Sequence, residues 1–353
     1  MRIAALGIRL FLAGRTHHAL TVFKSALREL GERREPEARA TQGMVFCWIA
    51  QAYSHAGLFS QAFGALQLAE EIPFGWKGES FEKLKNQAYQ VVHYRAGNYE
   101  EAFVRSLNLA LRSESGTTIR ELGHLFAGYF LAGRCAILLD RRGQARRLLA
   151  RLESRSNGRA HPFLRACVCF LRGDLEQERG TPGAYRSARR HYHRAERLFG
   201  RFAEGDQIWI RHVRFSLGLL GLRERKVGEV LKQAEFALEL GRETGMPAAQ
   251  AQGLLLKSLL LLEEKAPRDE IYEEIIRSLG LVQDPVVLFR ILANLYIYSW
   301  DLGDRLDLTD LHLRQLNQLK ASIPPATYDP LYEACVTRKV LARLQRRLGL
   351  VER

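Results

Sequence analysis

The residues of this sequence that are best suited to chemistry are arginines at helical spacing. They recur along one helical face between residues 189 and 201, and a second set lies between residues 141 and 151. A guanidinium group binds a carboxylate or a phosphate through two parallel hydrogen bonds. The spacing therefore predicts anion-binding helix faces, whose candidate residues are Arg146, Arg147, Arg189, Arg190, Arg194 and Arg197. The alternative is an ordinary solvated helix face.

The formal net charge of +14 is concentrated in the middle third of the chain. Residues 134–226 contain 22 Lys and Arg against 9 Asp and Glu, and Lys226 is the one lysine in this set. An acidic protein segment is a suitable partner for such a region. Nucleic acid is a second one, because histidine and tyrosine residues interleave with the arginines and can stack on bases. The sequence has no helix-turn-helix, zinc-finger or RNA-recognition signature.

Sequence motifs of the common enzyme classes are missing. The chain has no phosphate-binding GxxxxGK[ST] loop, no GxGxxG, no HExxH and no GxSxG. Cys167 and Cys169 are two positions apart, as are His191 and His193, and this spacing on a helix directs the two side chains away from each other. The five cysteines follow no zinc or disulfide framework. We therefore expect a non-catalytic protein without a cofactor or a bound metal.

Helical hairpins recur along the chain. The clearest one spans residues 46–69, with FCWIAQAY, a turn at Gly57, and then QAFGALQLA. Small residues at Ala50 and Ala62 allow the two helices to approach closely, and bulky neighbours fill the space to the next hairpin. This pattern resembles that of the tetratricopeptide (TPR) family. It is met by Phe46, Ile49, Ala50 and Tyr53 in the first helix and by Ala62, Leu66 and Ala69 in the second.

The resemblance covers most of the chain, most strongly residues 2–110 and weakly past residue 245. Gly14, Gly57, Gly97 and Gly143 mark successive turns and are separated by 43, 40 and 46 residues. The family's basic period is shorter, about 34 residues. The spacing is similar to that of long-period helical repeats in the sensor regions of large bacterial ATPase-type regulators and kinases. The resemblance implies an all-α fold, a right-handed superhelical solenoid of about 7–9 antiparallel helix pairs.

Two regions are expected. Residues 1–245 hold the TPR-like repeats with the Arg-rich middle, and residues 246–353 hold degenerate helical repeats with a C-terminal capping helix from Leu331 to Leu348. Neither residues 1–13 nor residues 254–262 have the apolar length of a membrane span. We therefore expect a cytoplasmic protein that does not interact with membranes.

The resemblance also implies a binding face. In TPR-like superhelices the first helix of each pair lines the concave surface, and the side chains assigned to it here are Gln51, Gln87, Tyr94, Arg165, Arg172, His212 and Phe215. Aromatic, amide and guanidinium groups together suit an extended acidic or amphipathic peptide. Each of these side chains has an alternative role in packing between repeats.

The expected function is that of an interaction scaffold or sensor array, which binds a protein or peptide segment, preferably an acidic one, on its concave face. Two alternatives stay open. One is a basic solenoid that binds RNA or DNA. The other is the regulatory portion of a larger kinase or ATPase-type signalling protein. The sequence predicts no oligomeric state.

Overall fold

The computed structural model describes residues 2–31, 33, 35–72, 79–114, 119–155, 162–201, 207–244, 247–264, 270, 273, 285–302, 306–323, 325–337, 339–341 and 344. All regular secondary structure in these residues is helical, and no β-strand occurs among them. The predicted all-α class is therefore confirmed. No helix in the described ranges is both long and apolar enough to cross a bilayer.

The chain divides into two compact units. The first consists of Met1–Leu175 and Arg190–Val213, and the second consists of Glu176–Arg189 and Arg214–Arg353. The first unit contains α1 (Arg2–Leu12), α2 (Thr16–Leu30), α3 (Pro36–Ala56), α4 (Phe59–Glu70), α5 (Glu79–Ala96), α6 (Tyr99–Arg112), α7 (Ile119–Leu138) and α8 (Arg142–Arg155). Three helices have residues in both units: α9 (Pro162–Gln177), α10 (Pro182–Phe199) and α11 (Gln207–Arg223). The second unit contains α12 (Val227–Thr244), α13 (Pro247–Glu263), α14 (Pro285–Leu302), α15 (Leu306–Leu319) and α16 (Pro325–Tyr332).

Consecutive helices of the first unit pack against each other from α1 to α8. The first helices of successive hairpins, α1, α3, α5 and α7, also pack against one another in that order. Small residues lie where the helices cross. A Cβ added at Gly7 would lie 2.5 Å from Cε1 of Phe23 on the neighbouring helix, so the hairpin closes this tightly because the position is glycine. Ala50 and Ala62, the small residues of the second hairpin, are fully buried.

In the second unit α12 packs against α13, α13 against α14, and α14 against α15. The Tyr298 hydroxyl donates a hydrogen bond of 3.0 Å to Oε2 of Glu263, which ties α14 to the end of α13. A π-helical segment, Glu333–Thr337, follows α16 directly. The predicted capping helix Leu331–Leu348 therefore begins within α16, and its residues 338, 342, 343 and 345–348 lie outside the described residues. Residue 245, the predicted boundary, lies outside them as well, and that boundary stays a prediction.

Left-handed residues mark the turns between helices. Among the described residues, positive φ occurs at Gly14, Gly57, Gly97, Asp140, Gly180 and Arg225, with spacings of 43, 40, 43, 40 and 45 residues. At every one of these except Gly180, the next amide donates to the carbonyl five positions before it, as Leu58 does to Tyr53 at 2.9 Å. This bond satisfies one of the free carbonyls at a helix end. Helical hairpins thus recur at an interval of 40–45 residues.

The predicted fourth turn at Gly143 is wrong. The left-handed residue of that turn is Asp140, with φ 57°, and Gly143 lies within α8. Aspartate is one of the few residues with a side chain that adopts this conformation at low cost, because its short polar side chain bonds locally. The Asp140 carboxylate accepts a hydrogen bond of 3.1 Å from Nε of Arg142. A nearby glycine was therefore a misleading marker.

Candidate anion-binding site

Helix α10 carries exposed arginines on one side. It begins at Pro182, and Oγ1 of the preceding Thr181 accepts a hydrogen bond of 3.2 Å from the amide of Ala184. Its buried side consists of Ala188, Tyr192, Ala195 and Phe199. Because an α-helix has 3.6 residues per turn, the opposite side consists of Arg190, Arg194, Arg197 and, just after the helix, Arg201. We call these four exposed residues of the first unit the arginine row.

No side chain of the arginine row forms an ion pair with a carboxylate of the described chain. Arg189, which precedes the row, differs. Its guanidinium donates hydrogen bonds to Glu224 and Glu229, and all three side chains are largely buried in the second unit. Arg189 was predicted with the others as an anion-binding residue, but its charge is already neutralised within the protein. The row thus begins at Arg190.

Two predicted concave-face arginines lie close to the row. Arg165 is exposed and Arg172 half-buried, and both are on the face of α9 that carries Cys169. Burial raises the pKa of the Cys169 thiol, and the positive charges of Arg194, Arg172 and Arg165 oppose that rise. These three guanidinium groups therefore all lie within electrostatic range of the Cys169 thiol. Nε of Arg172 donates a hydrogen bond of 2.6 Å to Oε1 of Glu153 on α8, so Arg172 is already partly neutralised.

Arg146 and Arg147 are exposed on α8, and neither forms an ion pair within the described ranges. Their helix buries Ala145, Leu148 and Leu152 on its other side. Arg146 and Arg147 lie on a different helix from the arginine row. They remain a separate candidate of the same chemistry.

A second group of polar residues meets inside the first unit. Nη2 of Arg95 on α5 lies 3.0 Å from Nε2 of His212 on α11. His55 of α3 and Arg211 of α11 are buried close by, with 5% and 2% of their surface exposed. Arg134 of α7 is half-buried next to them. We call these five residues, His55, Arg95, Arg134, Arg211 and His212, the inner cluster.

Arg134 contacts one acidic side chain and several aromatic rings. Its Nε donates a hydrogen bond of 2.9 Å to Oδ2 of Asp174, while the Tyr192 hydroxyl donates one of 2.9 Å to Oδ1. The guanidinium carbon lies 4.4 Å from the centre of the Phe170 ring and 5.7 Å from that of Tyr94. This cation–π packing fixes the direction of the side chain. The sequence-predicted residues Tyr94 and His212 are thus both placed at the inner cluster.

Both histidines of the inner cluster are neutral at physiological pH. Burial holds the pKa of His55 well below its ordinary value, and the charges of Arg95 and Arg211 lower it further. Burial also lowers the pKa of His212, with the same two arginines adding to the effect. Arg211 keeps its proton, since burial lowers its pKa only to about 10. The inner cluster therefore combines cationic guanidinium groups with neutral imidazoles.

The remaining predicted concave-face residues lie elsewhere. Gln51 is in the interior of the first unit with 4% of its surface exposed. Gln87 is half-buried on α5, and Phe215 is half-buried in the part of α11 that belongs to the second unit. Gln51 occupies the packing position that was its alternative role.

Sequence reasoning missed most of the inner cluster. A usable signal was present, because His55 and Arg95 each lie two positions before the left-handed glycine of their turn, Gly57 and Gly97. A polar side chain repeated at one register of the first helices indicates a shared surface. Arg134 and Arg211 gave no such signal, since their proximity follows from packing between helices far apart in the chain.

Both the arginine row and the inner cluster are built from nitrogen-bearing side chains. In the part of the chain that the structure describes, no three His, Cys, Asp or Glu side chains come together as metal ligands. The five cysteines are buried free thiols. What the two sites share is a high density of nitrogen donors, which suits the binding of anions.

Comparison with known proteins adds no assignment. No protein-family model matches the chain, and no curated protein matches its sequence.

Proposed function

We propose that this chain is a non-catalytic interaction protein that binds an acidic protein segment through the arginine row. The single observation behind this function is the row itself: four exposed guanidinium groups of one helical face, none of them paired with a carboxylate of the described chain. Unpaired exposed arginines gain the most from a carboxylate brought by a partner, because no internal ion pair has to be broken.

The architecture behind the row is proposed to be a right-handed solenoid of TPR-like hairpins. Two observations favour it. Left-handed turn residues recur every 40–45 positions, and the first helices of successive hairpins pack against each other in order. A repeat array of this type presents helix faces in register, which suits an extended segment better than a compact ligand.

An acidic segment is favoured over nucleic acid by the surroundings of the row. Tyr192 lies on α10 between the first two arginines of the row. Its side chain is fully buried, and its hydroxyl donates a hydrogen bond to Asp174. It is therefore not exposed for stacking on bases, which single-strand binding by aromatic platforms requires. His193 is exposed, but its Nδ1 lies 3.4 Å from Oε2 of Glu196.

The experiment is fluorescence anisotropy with a labelled peptide rich in Glu and Asp, titrated with the wild-type protein. The test variant is Arg190→Gln/Arg194→Gln/Arg197→Gln. The matched control is Arg15→Gln/Arg28→Gln/Arg39→Gln, which removes the same charge from three exposed arginines outside the row. We expect the test variant to lose roughly tenfold or more in affinity, since each charge-assisted bond contributes about 1 kcal/mol or more, and the control to lose little.

Equal losses in the two triple variants would show that net charge alone attracts the peptide, and the row would be dropped as a specific site. A labelled single-stranded RNA and a duplex DNA serve as competing probes in the same assay. If either bound more tightly than the peptide, with a steep salt dependence and with loss in the row variant, the partner would be nucleic acid.

A further inference from the structure

The inner cluster brings nitrogen-bearing side chains from four helices of the first unit to one place. α3 contributes His55, α5 contributes Arg95, and α7 contributes Arg134, while α11 contributes both Arg211 and His212. The contact of 3.0 Å between Arg95 and His212 joins the α5 and α11 members of this group. Such a concentration of donors is unusual in a protein interior, where cations repel one another and lose hydration.

The inner cluster contains buried polar atoms without a hydrogen bond. Nδ1 of His55 and Nη1 of Arg134 are buried and have no partner in the described part of the chain. Buried polar atoms in native proteins are nearly always hydrogen-bonded, so each of these two atoms indicates a missing partner. A neutral imidazole carries its proton on either ring nitrogen, and a guanidinium has only donors. Both atoms are therefore able to donate to the same kind of acceptor.

We propose that the inner cluster is a binding site for one oxyanion group, a carboxylate or a phosphate, which is separate from the arginine row. The group accepts hydrogen bonds from Arg95, Arg134 and the imidazole of His55. Arg95, Arg134 and His212 are half-buried, whereas His55 and Arg211 are deeply buried.

The walls of the inner cluster favour an anion with little surrounding water. Phe170 and Phe130 lie against the guanidinium of Arg134, the Trp209 ring centre is 5.8 Å from that of His212, and Phe11 meets His55 edge-on at 4.9 Å. Aromatic walls lower the local dielectric constant, which strengthens each charge-assisted bond. Metal cations are disfavoured by the same arginine charges.

A proton is coupled to this binding. The imidazoles are neutral because burial and the arginine charges disfavour their protonation. An anion placed among them offsets those charges and raises the pKa of His55 and His212, so binding takes up a fraction of a proton at mildly acidic pH. A surface site at the arginine row lacks this coupling, because the row contains no histidine.

The first experiment uses isothermal titration calorimetry on the wild-type full chain. The probes are inorganic phosphate, acetyl-Ala-Ala-Ala with a free carboxylate, and the amide of that peptide as the uncharged control. Binding of phosphate alone assigns the site to a phosphate group, binding of the free acid alone assigns it to a carboxylate, and binding of both assigns it to either oxyanion. In each case heats measured in buffers of different ionisation enthalpy should show proton uptake. Failure of both anions to bind, equal binding of the amide, or binding without proton uptake would overturn the assignment.

The second experiment locates the site with Arg95→Gln. We expect roughly a tenfold loss of affinity for whichever oxyanion binds, because one charge-assisted bond is removed. The control is the row variant Arg190→Gln/Arg194→Gln/Arg197→Gln, which should bind the small anion as the wild type does. If Arg95→Gln fails to fold by circular dichroism, Arg95→Lys replaces it, because the variant keeps the charge but loses the fork and should still bind several-fold more weakly. Wild-type affinity in a folded Arg95 variant, or loss of affinity in the row variant, would refute this location.

Discussion

Arg95 and His212 are 117 positions apart in the chain, yet Nη2 of the first lies 3.0 Å from Nε2 of the second. Arg95 is near the end of α5 and His212 is in the first half of α11, so two other hairpins lie between them in sequence. In an ideal repeat array each unit contacts only its neighbours. This contact within the first unit is therefore a departure from ideal repeat behaviour, and it creates the inner cluster.

Single substitutions of Arg189 and Arg190 should have different effects on stability, because Arg189 is paired inside the protein and Arg190 is exposed. Arg189→Gln leaves the largely buried Glu224 and Glu229 without their cation, and we expect a loss of about 2–4 kcal/mol in the free energy of unfolding. Arg190→Gln removes an exposed, unpaired charge and should change the stability by about 0.5 kcal/mol or less. Urea denaturation followed by circular dichroism measures both.

The conservative variant Arg189→Lys tests whether charge alone is sufficient. A lysine restores the charge but not the fork that reaches two carboxylates, so it should recover only part of the stability. If Arg189→Gln were as stable as Arg190→Gln, the paired arrangement would not exist in solution, and Arg189 would rejoin the row as a candidate for partner binding.

The protein should become less stable as the pH falls below neutrality. Burial lowers the pKa of His312 in α15 from 6.5 to about 4, and burial shifts His55 and His212 in the same direction. Below about pH 6.5 these histidines bind protons in the unfolded chain but not in the folded protein, so the free energy of unfolding falls. Each such histidine contributes about 1.4 kcal/mol per pH unit until its folded-state pKa is reached.

Urea denaturation at several pH values from about 7 to about 4.5 gives this slope. His312→Asn is the matched variant, since it removes one titrating group and keeps a side chain able to bond near Oγ of Ser299. The slope of the variant should be smaller than that of the wild type by the contribution of one histidine. An unchanged slope would mean that His312 takes up its proton at the same pH in the folded and the unfolded protein.

Alanine substitutions at two glycines test the turn register. Gly97 has φ 87° and closes a turn, so Gly97→Ala should cost about 1–2 kcal/mol. Gly143 lies inside α8, and a Cβ there would meet only the far end of the Arg147 side chain, at 3.9 Å. Gly143→Ala should therefore leave stability unchanged or raise it by up to about 1 kcal/mol.

Thermal and urea denaturation of the two variants supply the comparison. Had Gly143 been the turn residue that its spacing predicts, its alanine variant would be the destabilised one. A loss in Gly143→Ala comparable to that in Gly97→Ala would place the left-handed residue of the fourth turn at Gly143 and not at Asp140.

Much of the candidate site was within reach of the sequence because helical periodicity is a local property. The buried side of α10 and the opposite exposed row follow from the spacing of Ala188, Tyr192, Arg190 and Arg194 alone. The turns at Gly14, Gly57 and Gly97 were predicted correctly for the same reason. The fourth turn was not, because Asp140 and Gly143 both permit a helix end there and the choice depends on packing.

The sequence by itself determined that the chain is helical, that its hairpins recur, and that arginines cover one face of α10. The tertiary structure decided which arginines are already neutralised, since the carboxylates that hold Arg189 are 35 and 40 positions away. It also decided that His55 lies within electrostatic range of Arg95 and Arg211, although the three residues come from three helices. Periodicity fixes the direction of a side chain on its own helix, whereas its partners depend on how distant helices pack, and no local pattern encodes that distance.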